Sequence, residues 1–149
     1  MSHPPHKMGT AFTRAMGAVF SADEGAVTVR VTAAPIMEGP RGYAHGGALA
    51  ALLDEAMGAA GWLAGYQCLT VHLEYDFRRP VPLGTAFTVR AWVERGEARK
   101  VFTRGVAILP DETVAVESSG IFALAPPGFF ASGAGLVEPV RAPADDGEA

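Results

Sequence analysis

The chain has 149 residues, of which 49% are apolar and 19% are charged. This length and composition support one folded domain with a sizeable core and are not typical of a disordered protein. The 12 basic and 16 acidic residues give a formal charge of -4 without a long run of either sign, which excludes the strongly basic surface of a nucleic-acid-binding protein. We expect a mobile arm over residues 1–14, one domain over residues 15–125 and a flexible tail over residues 126–149.

The cysteine content and the hydropathy indicate the cellular compartment of the protein. Cys68 is the single cysteine, so no internal disulfide is possible and a reduced, cytoplasmic setting is expected. Residues 1–7 lack the apolar stretch of a signal peptide. Residues 48–64 are apolar enough to suggest a membrane span, but Asp54 and Glu55 would each cost about 2.5 to 3.5 kcal/mol near its middle. We therefore predict a helix in a protein core and no membrane partner.

The first half of the chain predicts a hairpin, a loop and a helix. Residues 15–20 and 26–32 are apolar or β-branched and flank a polar turn, which is a hairpin signal. Residues 35–43 are rich in proline and glycine and predict a loop. Residues 45–63 are rich in Ala, Leu and Met with almost no β-branching, so they predict a helix with little solvent-facing surface.

The second half predicts four strands, over residues 69–77, 86–93, 101–109 and 114–124. Their connections are short, so we expect consecutive strands to pair antiparallel in a meander. The predicted fold is α+β, with one long antiparallel sheet of five or six strands wrapped round one central helix. An α+β sandwich, in which the helix lies on a flatter sheet, has the same element order and remains an alternative. The sheet face left uncovered favours an oligomer.

The start of the predicted helix carries the first chemical signal. Gly46 and Gly47 follow His45, so the first N–H groups of the helix are not covered by any Cβ atom. Such amides, at the positive end of a helix, suit an oxygen that becomes negative during a reaction. They therefore predict an oxyanion hole. A purely structural reading is that the two glycines permit a tight turn into the helix.

Two adjacent acids in the middle of the helix carry the second signal. Asp54 and Glu55 lie among apolar residues, where acids are seldom buried without a partner. Consecutive helical residues point about 100° apart, so we expect one acid at a cavity or subunit seam and the other at a salt bridge or solvent slit. A carboxylate near an oxyanion hole can activate water or attack an acyl carbon, which favours thioester or ester hydrolysis. The alternative is that both acids are structural.

Other hydrolytic chemistries lack their motifs. The sequence contains no Gly-x-Ser-x-Gly elbow and no His-Glu-x-x-His pair. The four histidines, His3, His6, His45 and His72, are too scattered to argue for a metal site. No metal and no cofactor are therefore expected.

These motifs resemble the hotdog-fold acyl-CoA thioesterase superfamily, in its phenylacetate-catabolism-type and 4-hydroxybenzoyl-CoA thioesterase-like branch. The resemblance rests on His45-Gly46-Gly47 followed by Asp54-Glu55, and on Arg-Pro-Val-Pro at residues 79–82. It covers roughly residues 26 to 125 and implies a hotdog domain that forms homodimers or homotetramers with active sites between subunits.

The resemblance also implies roles for individual residues. The Gly46 amide would bind the thioester oxygen, the carboxylate would be Asp54 of the partner subunit, and the Thr70 hydroxyl would orient the carboxylate or the water. The candidate catalytic residues are therefore Asp54, Gly46, His45 and Thr70. Some members have Asn or Gln before the histidine, where this chain has Gly39.

The expected reaction is hydrolysis of an acyl-CoA thioester to the free acid and coenzyme A. The candidate substrate contacts are two helix residues and three cations that could meet coenzyme A phosphates: Gly47, Glu55, Arg78, Arg79 and Lys100. For the cations, solvated strand ends are the alternative reading. Two other functions remain open: a noncatalytic acyl-CoA binding module, and a hotdog hydratase or dehydratase that uses His45.

Overall fold

A computed structural model describes residues 8–130 and contains one six-stranded antiparallel sheet and one long helix. The helices and strands, in chain order, are α1 (Ala11–Ala15), β1 (Val19–Asp23), β2 (Ala26–Thr32), a short 3-10 helix (Pro35–Met37), α2 (Gly46–Leu63), β3 (Cys68–Phe77), β4 (Ala86–Glu97), β5 (Lys100–Ile108) and β6 (Val114–Leu124). The sheet order is β1-β2-β4-β5-β6-β3. The predicted α+β fold is confirmed.

Helix α2 forms the centre of the core. It contacts β2, β4, β5, β6 and β3, so the sheet curves round it. Its buried side chains are Leu49, Leu52, Leu53, Ala56, Met57 and Ala60. At Gly105 of β5 a Cβ atom would stand 3.1 Å from Leu53 and 3.2 Å from Met57, so only glycine lets this strand lie so close to the helix. In the described part of the chain, no helix combines the length and apolarity that crossing a membrane requires.

The predicted meander is wrong for β3. This strand pairs with β6 at the far side of the sheet and does not pair with β4. The connection over residues 78–85 contains two prolines, which lack the N–H of a tight hairpin ladder. It crosses the start of α2 instead, with Val81 fully buried and its carbonyl accepting a hydrogen bond of 2.8 Å from the Ala44 amide.

The N-terminal predictions also differ from the structure. The strand expected over residues 15–20 is divided between α1 and β1, because Gly17 takes a left-handed φ of 77° and turns the chain between them. The second half of the expected mobile arm belongs to the fold, since Met8 and Thr13 are both buried. Residues 1–7, and the part of the expected tail over residues 131–149, lie outside the described residues.

Candidate active site

The first turn of α2 has a nearly complete set of hydrogen bonds. Four N–H groups at a helix start have no partner within the helix. Here the His45 amide donates to Met37 O at 2.6 Å, the Gly47 amide donates to His45 Nδ1 at 2.7 Å, and the Ala48 amide donates to His45 O at 3.0 Å. Among the described residues no acceptor is paired with the Gly46 amide. Of the two glycine amides that the sequence suggests, Gly46 is therefore the one available to a ligand.

His45 caps the helix with its side chain and is held tightly. Because Nδ1 accepts the Gly47 N–H, that nitrogen is unprotonated in this geometry and any ring proton lies on Nε2. Gly39 packs against the residue so closely that a Cβ atom there would stand 2.7 Å from the His45 Cα. The imidazole is exposed, but these contacts hold it in one position beside the start of the helix.

Asp54 lies two turns further along α2 and meets β3. The Thr70 hydroxyl donates a hydrogen bond of 2.8 Å to Asp54 Oδ1, as the resemblance implies for these two positions. Burial raises the pKa of Asp54, the Thr70 hydrogen bond acts to lower it, and the neighbouring Glu55 charge raises it further. The net pKa of Asp54 lies above its ordinary value. The carboxylate is therefore a stronger base than a solvated aspartate.

Glu55 has different neighbours from those expected of a substrate contact. Its carboxylate accepts hydrogen bonds from the Thr10 amide at 3.3 Å and from the Thr13 hydroxyl at 2.7 Å, and also from the Thr10 hydroxyl. These groups form the start of α1, so Glu55 fixes this short helix onto α2 within one chain. The two acids have different hydrogen-bond partners, and those of Glu55 indicate a structural role for it.

Strand β3 presents three residues to successive turns of α2. Thr70 meets Asp54, the Tyr75 hydroxyl donates to Ala50 O at 2.8 Å, and the Phe77 ring lies over Gly46. A register shift between Thr70 and His72 places an extra residue in the strand. Without this bulge, the period-two alternation of a strand would send Thr70 and Tyr75 to opposite faces.

Tyr75 is a site residue that the sequence reasoning missed. Its hydroxyl binds the carbonyl of the residue four positions before Asp54, which is the helical acceptor of the Asp54 amide. Burial, and secondarily the Asp54 charge, raise the pKa of Tyr75 to about 12, so the hydroxyl remains a donor at neutral pH. No simple sequence pattern would have revealed it, because the bulge interrupts the alternation.

The structure does not bring the three candidate cations together. Arg78 follows Phe77, the last residue of β3, which pairs with Val116 on β6. The Arg78 guanidinium donates a hydrogen bond of 2.8 Å to the Glu117 carboxylate. Arg79 is exposed beside it. Lys100 pairs with Ala123, at the other end of β6. Arg78 and Arg79 directly follow Phe77, whose ring lies beside Gly46 at the start of α2, whereas Lys100 lies at the opposite end of β6.

Comparisons with known proteins match the part of the chain that contains the candidate site. The sequence model of the thioesterase superfamily matches residues 41–116, about half of the chain, and this range includes Gly46, Asp54 and Thr70. The acyl-coenzyme A thioesterase THEM5 of Mus musculus is 38% identical over 89 residues, which are 59% of this chain and 36% of that protein. The matched segment thus spans about a third of the length of that curated relative.

Solved structures show the same fold. A crystal structure of a thioesterase superfamily protein is 32% identical, has a TM-score of 0.69, and is matched over 71% of this chain and 53% of that one. The E. coli PaaI protein from the phenylacetic acid degradation operon is 24% identical with a TM-score of 0.73, over 78% of this chain and 85% of that one. The match to half of the sequence, with its candidate oxyanion amide and carboxylate, shows that the chain belongs to the thioesterase superfamily.

Proposed function

We propose that the protein hydrolyses acyl-CoA thioesters to a free acid and coenzyme A. The observation that carries this proposal is that α2 holds two suitable groups. The Gly46 amide has no acceptor among the described residues, and the pKa of the Asp54 carboxylate is raised. The Gly46 N–H binds the carbonyl oxygen, and Asp54 takes a proton from water that attacks the carbonyl carbon, or attacks that carbon itself. The C–S bond then breaks, and the coenzyme A thiolate leaves and receives a proton. If Asp54 itself attacks, water then hydrolyses the acyl anhydride formed on Asp54, which releases the free acid and restores the carboxylate.

The reaction needs a second copy of the chain. Gly46 and Asp54 are eight residues apart on one helix, which separates them by about 12 Å along its axis. A carbonyl bound at Gly46 is therefore out of reach of the same chain's Asp54. In a dimer with two-fold symmetry, the second copy's Asp54 can complete the site, and each pair of copies then has two equivalent sites.

Strand β3 supports this assembly. It is a ten-residue edge strand, and its outer edge pairs with no strand in residues 8–130. Long unpaired edges readily pair with another chain. Leu69, Val71 and Phe77 on this strand are exposed large apolar residues, and Thr70 and Tyr75 connect the same strand to α2. We therefore propose a homodimer joined through β3, with a homotetramer as a further stage of assembly.

Coenzyme A is the proposed leaving group for two reasons. Curated relatives are named acyl-coenzyme A thioesterases, and a Streptococcus mutans protein of the same fold, 14% identical with a TM-score of 0.68, has been solved bound to acetyl CoA. Arg78 and Arg79 are exposed and directly follow Phe77, whose ring lies beside Gly46, and guanidinium groups are suited to binding phosphates. A cytoplasmic setting agrees with the free thiol of Cys68.

The direct test is a hydrolysis screen over short, medium, long and aryl acyl-CoA thioesters, with release of the free thiol as the signal. We expect thiol release from at least one class and its loss in Asp54→Asn. Saturable binding of thioesters without thiol release would instead indicate a binding module. Consumption of an enoyl-CoA without thiol release would indicate a hydratase.

A further inference from the structure

Two aromatic rings flank the free Gly46 amide. The Phe77 ring has atoms 3.6 and 3.8 Å from the position that a Cβ of Gly46 would occupy. The His45 ring fills the corresponding space at Gly47, where a Cβ would stand 2.9 Å from Nδ1 and 3.0 Å from Cε1. Cα–Cβ bonds in a helix lean towards its N-terminus, the direction from which a ligand approaches the first amides. The Phe77 and His45 rings therefore border the approach to the Gly46 amide.

Both rings are held in place by their surroundings. Phe77 stacks on Tyr75 with ring centroids 5.8 Å apart and an interplanar angle of 32°, and the Tyr75 hydroxyl is bound to Ala50 O. His45 is fixed by its hydrogen bond from the Gly47 amide and by the close packing of Gly39. Neither ring can move aside without breaking these contacts. Phe77 keeps 53% of its surface exposed in the single chain, so part of its ring can contact a ligand bound between two copies at the proposed β3 interface.

We propose that Phe77 is the specificity-determining residue of the site and selects thioesters whose α-carbon is an unbranched CH₂. This inference rests on the proposed thioesterase function and adds the substrate class to it. The carbonyl oxygen must come within about 3 Å of the Gly46 nitrogen to accept its hydrogen bond. The thioester group and one α-methylene can lie in a single plane between the rings of Phe77 and His45. A second carbon on the α-carbon leaves that plane and meets a ring, and such overpacking is unfavourable.

The test compares butanoyl-CoA with its isomer 2-methylpropanoyl-CoA, whose α-carbon carries a methyl branch and whose main chain is one carbon shorter. Wild type is expected to favour the linear thioester by about tenfold or more in kcat/KM, the lower range for one misplaced carbon in a packed site. Phe77→Ala should raise kcat/KM for the branched thioester and reduce the preference to about threefold or less. Phe77→Tyr keeps the ring and should keep the preference.

Phe129→Ala is the matched control. Phe129 is 51% exposed, close to the value for Phe77, and its neighbour Phe130 packs on Trp62 near the other end of α2. The control should leave the linear-to-branched ratio unchanged. If Phe77→Ala fails to fold, Phe77→Leu replaces the flat ring with a smaller side chain and should also reduce the ratio. An unchanged ratio in a folded Phe77 variant of wild-type oligomeric state overturns the assignment.

Binding measurements separate this inference from the proposed function. If wild type releases no thiol from any class in the acyl-CoA screen, the proposed hydrolysis fails, and calorimetric titration with the two intact thioesters still tests the selectivity. Tighter binding of butanoyl-CoA by about tenfold, lost in Phe77→Ala, would support the role of Phe77. Equal binding of the two thioesters by wild type would overturn that role. Absence of both turnover and binding would overturn both proposals.

Discussion

Replacing Gly46 with proline removes the hydrogen-bond donor and puts the ring Cδ in the place of the amide hydrogen, so it should close the proposed oxyanion position. Gly46 is the first residue of α2, a position that proline favours because its N–H has no partner within the helix. The preceding residue, His45, has the extended backbone that a following proline requires, with φ of -65° and ψ of 134°. A Cβ atom fits beside Phe77 at the ordinary contact distance of 3.6 Å. Gly46→Pro should therefore fold, with stability unchanged or higher by about 0.4 to 1 kcal/mol.

The expected loss of kcat in Gly46→Pro follows from the loss of the one helix-start N–H that has no acceptor among the described residues. If the Gly46 N–H holds the developing oxyanion, its loss should reduce kcat by about 10² to 10³, or roughly 2.7 to 4 kcal/mol. Gly46→Ala keeps the N–H and adds the same Cβ, so it should lose less than about tenfold, or about 1.4 kcal/mol.

The assay is thiol release at saturating substrate, with melting temperature and oligomeric state measured for both variants. Turnover by Gly46→Pro within about tenfold of Gly46→Ala would refute the oxyanion assignment, provided that both remain folded and assembled.

Three further variants test the carboxylates and their hydroxyl partner. Asp54→Asn should lower kcat by about 10² to 10⁴ while substrate affinity survives, and near-normal turnover would contradict its role as base or nucleophile. Glu55→Gln weakens the contacts to Thr10 and Thr13, so thermal denaturation should show a loss of stability while kcat per folded site changes less than about tenfold. The reaction needs deprotonated Asp54, so kcat/KM should fall as the pH drops through a pKa above the ordinary value of 3.8. Thr70→Val removes the hydrogen bond that acts to lower this pKa and should move the acid limb of the pH profile to higher pH, whereas a shift to lower pH would contradict the assigned contact.

The elements that depend on local sequence could be predicted well. Helix α2 was predicted to within one residue at its start. The prediction succeeded because Ala, Leu and Met favour a helix whatever the helix packs against. The His45-Gly46-Gly47 turn and the acid pair also follow from local pattern, and the structure places Asp54 against Thr70 as the resemblance implies. The catalytic roles of these residues remain predictions.

What could not be predicted depends on contacts between distant parts of the chain. The pairing of β3 with β6 is set by a long crossing connection, and strand alternation carries no information about which neighbour a strand takes. Helix α1 is only five residues long and is too short to be stable alone. It depends on hydrogen bonds to Glu55, which lies forty residues after Ala15, the last residue of α1. Tyr75 reaches α2 because of a bulge that no composition signal marks.

Each proposed site combines Gly46 of one copy with Asp54 of another, and a heterodimer of two variants distinguishes this arrangement from a site within one chain. Gly46→Pro and Asp54→Asn chains with different affinity tags can be expressed together and the mixed dimer purified through both tags. In that dimer one site retains both an intact Gly46 amide and an intact Asp54, and the other has neither. A shared site should give the mixed dimer about half of wild-type turnover, although each of its two chains is inactive as a homodimer. A mixed dimer as inactive as its parents would contradict the shared site.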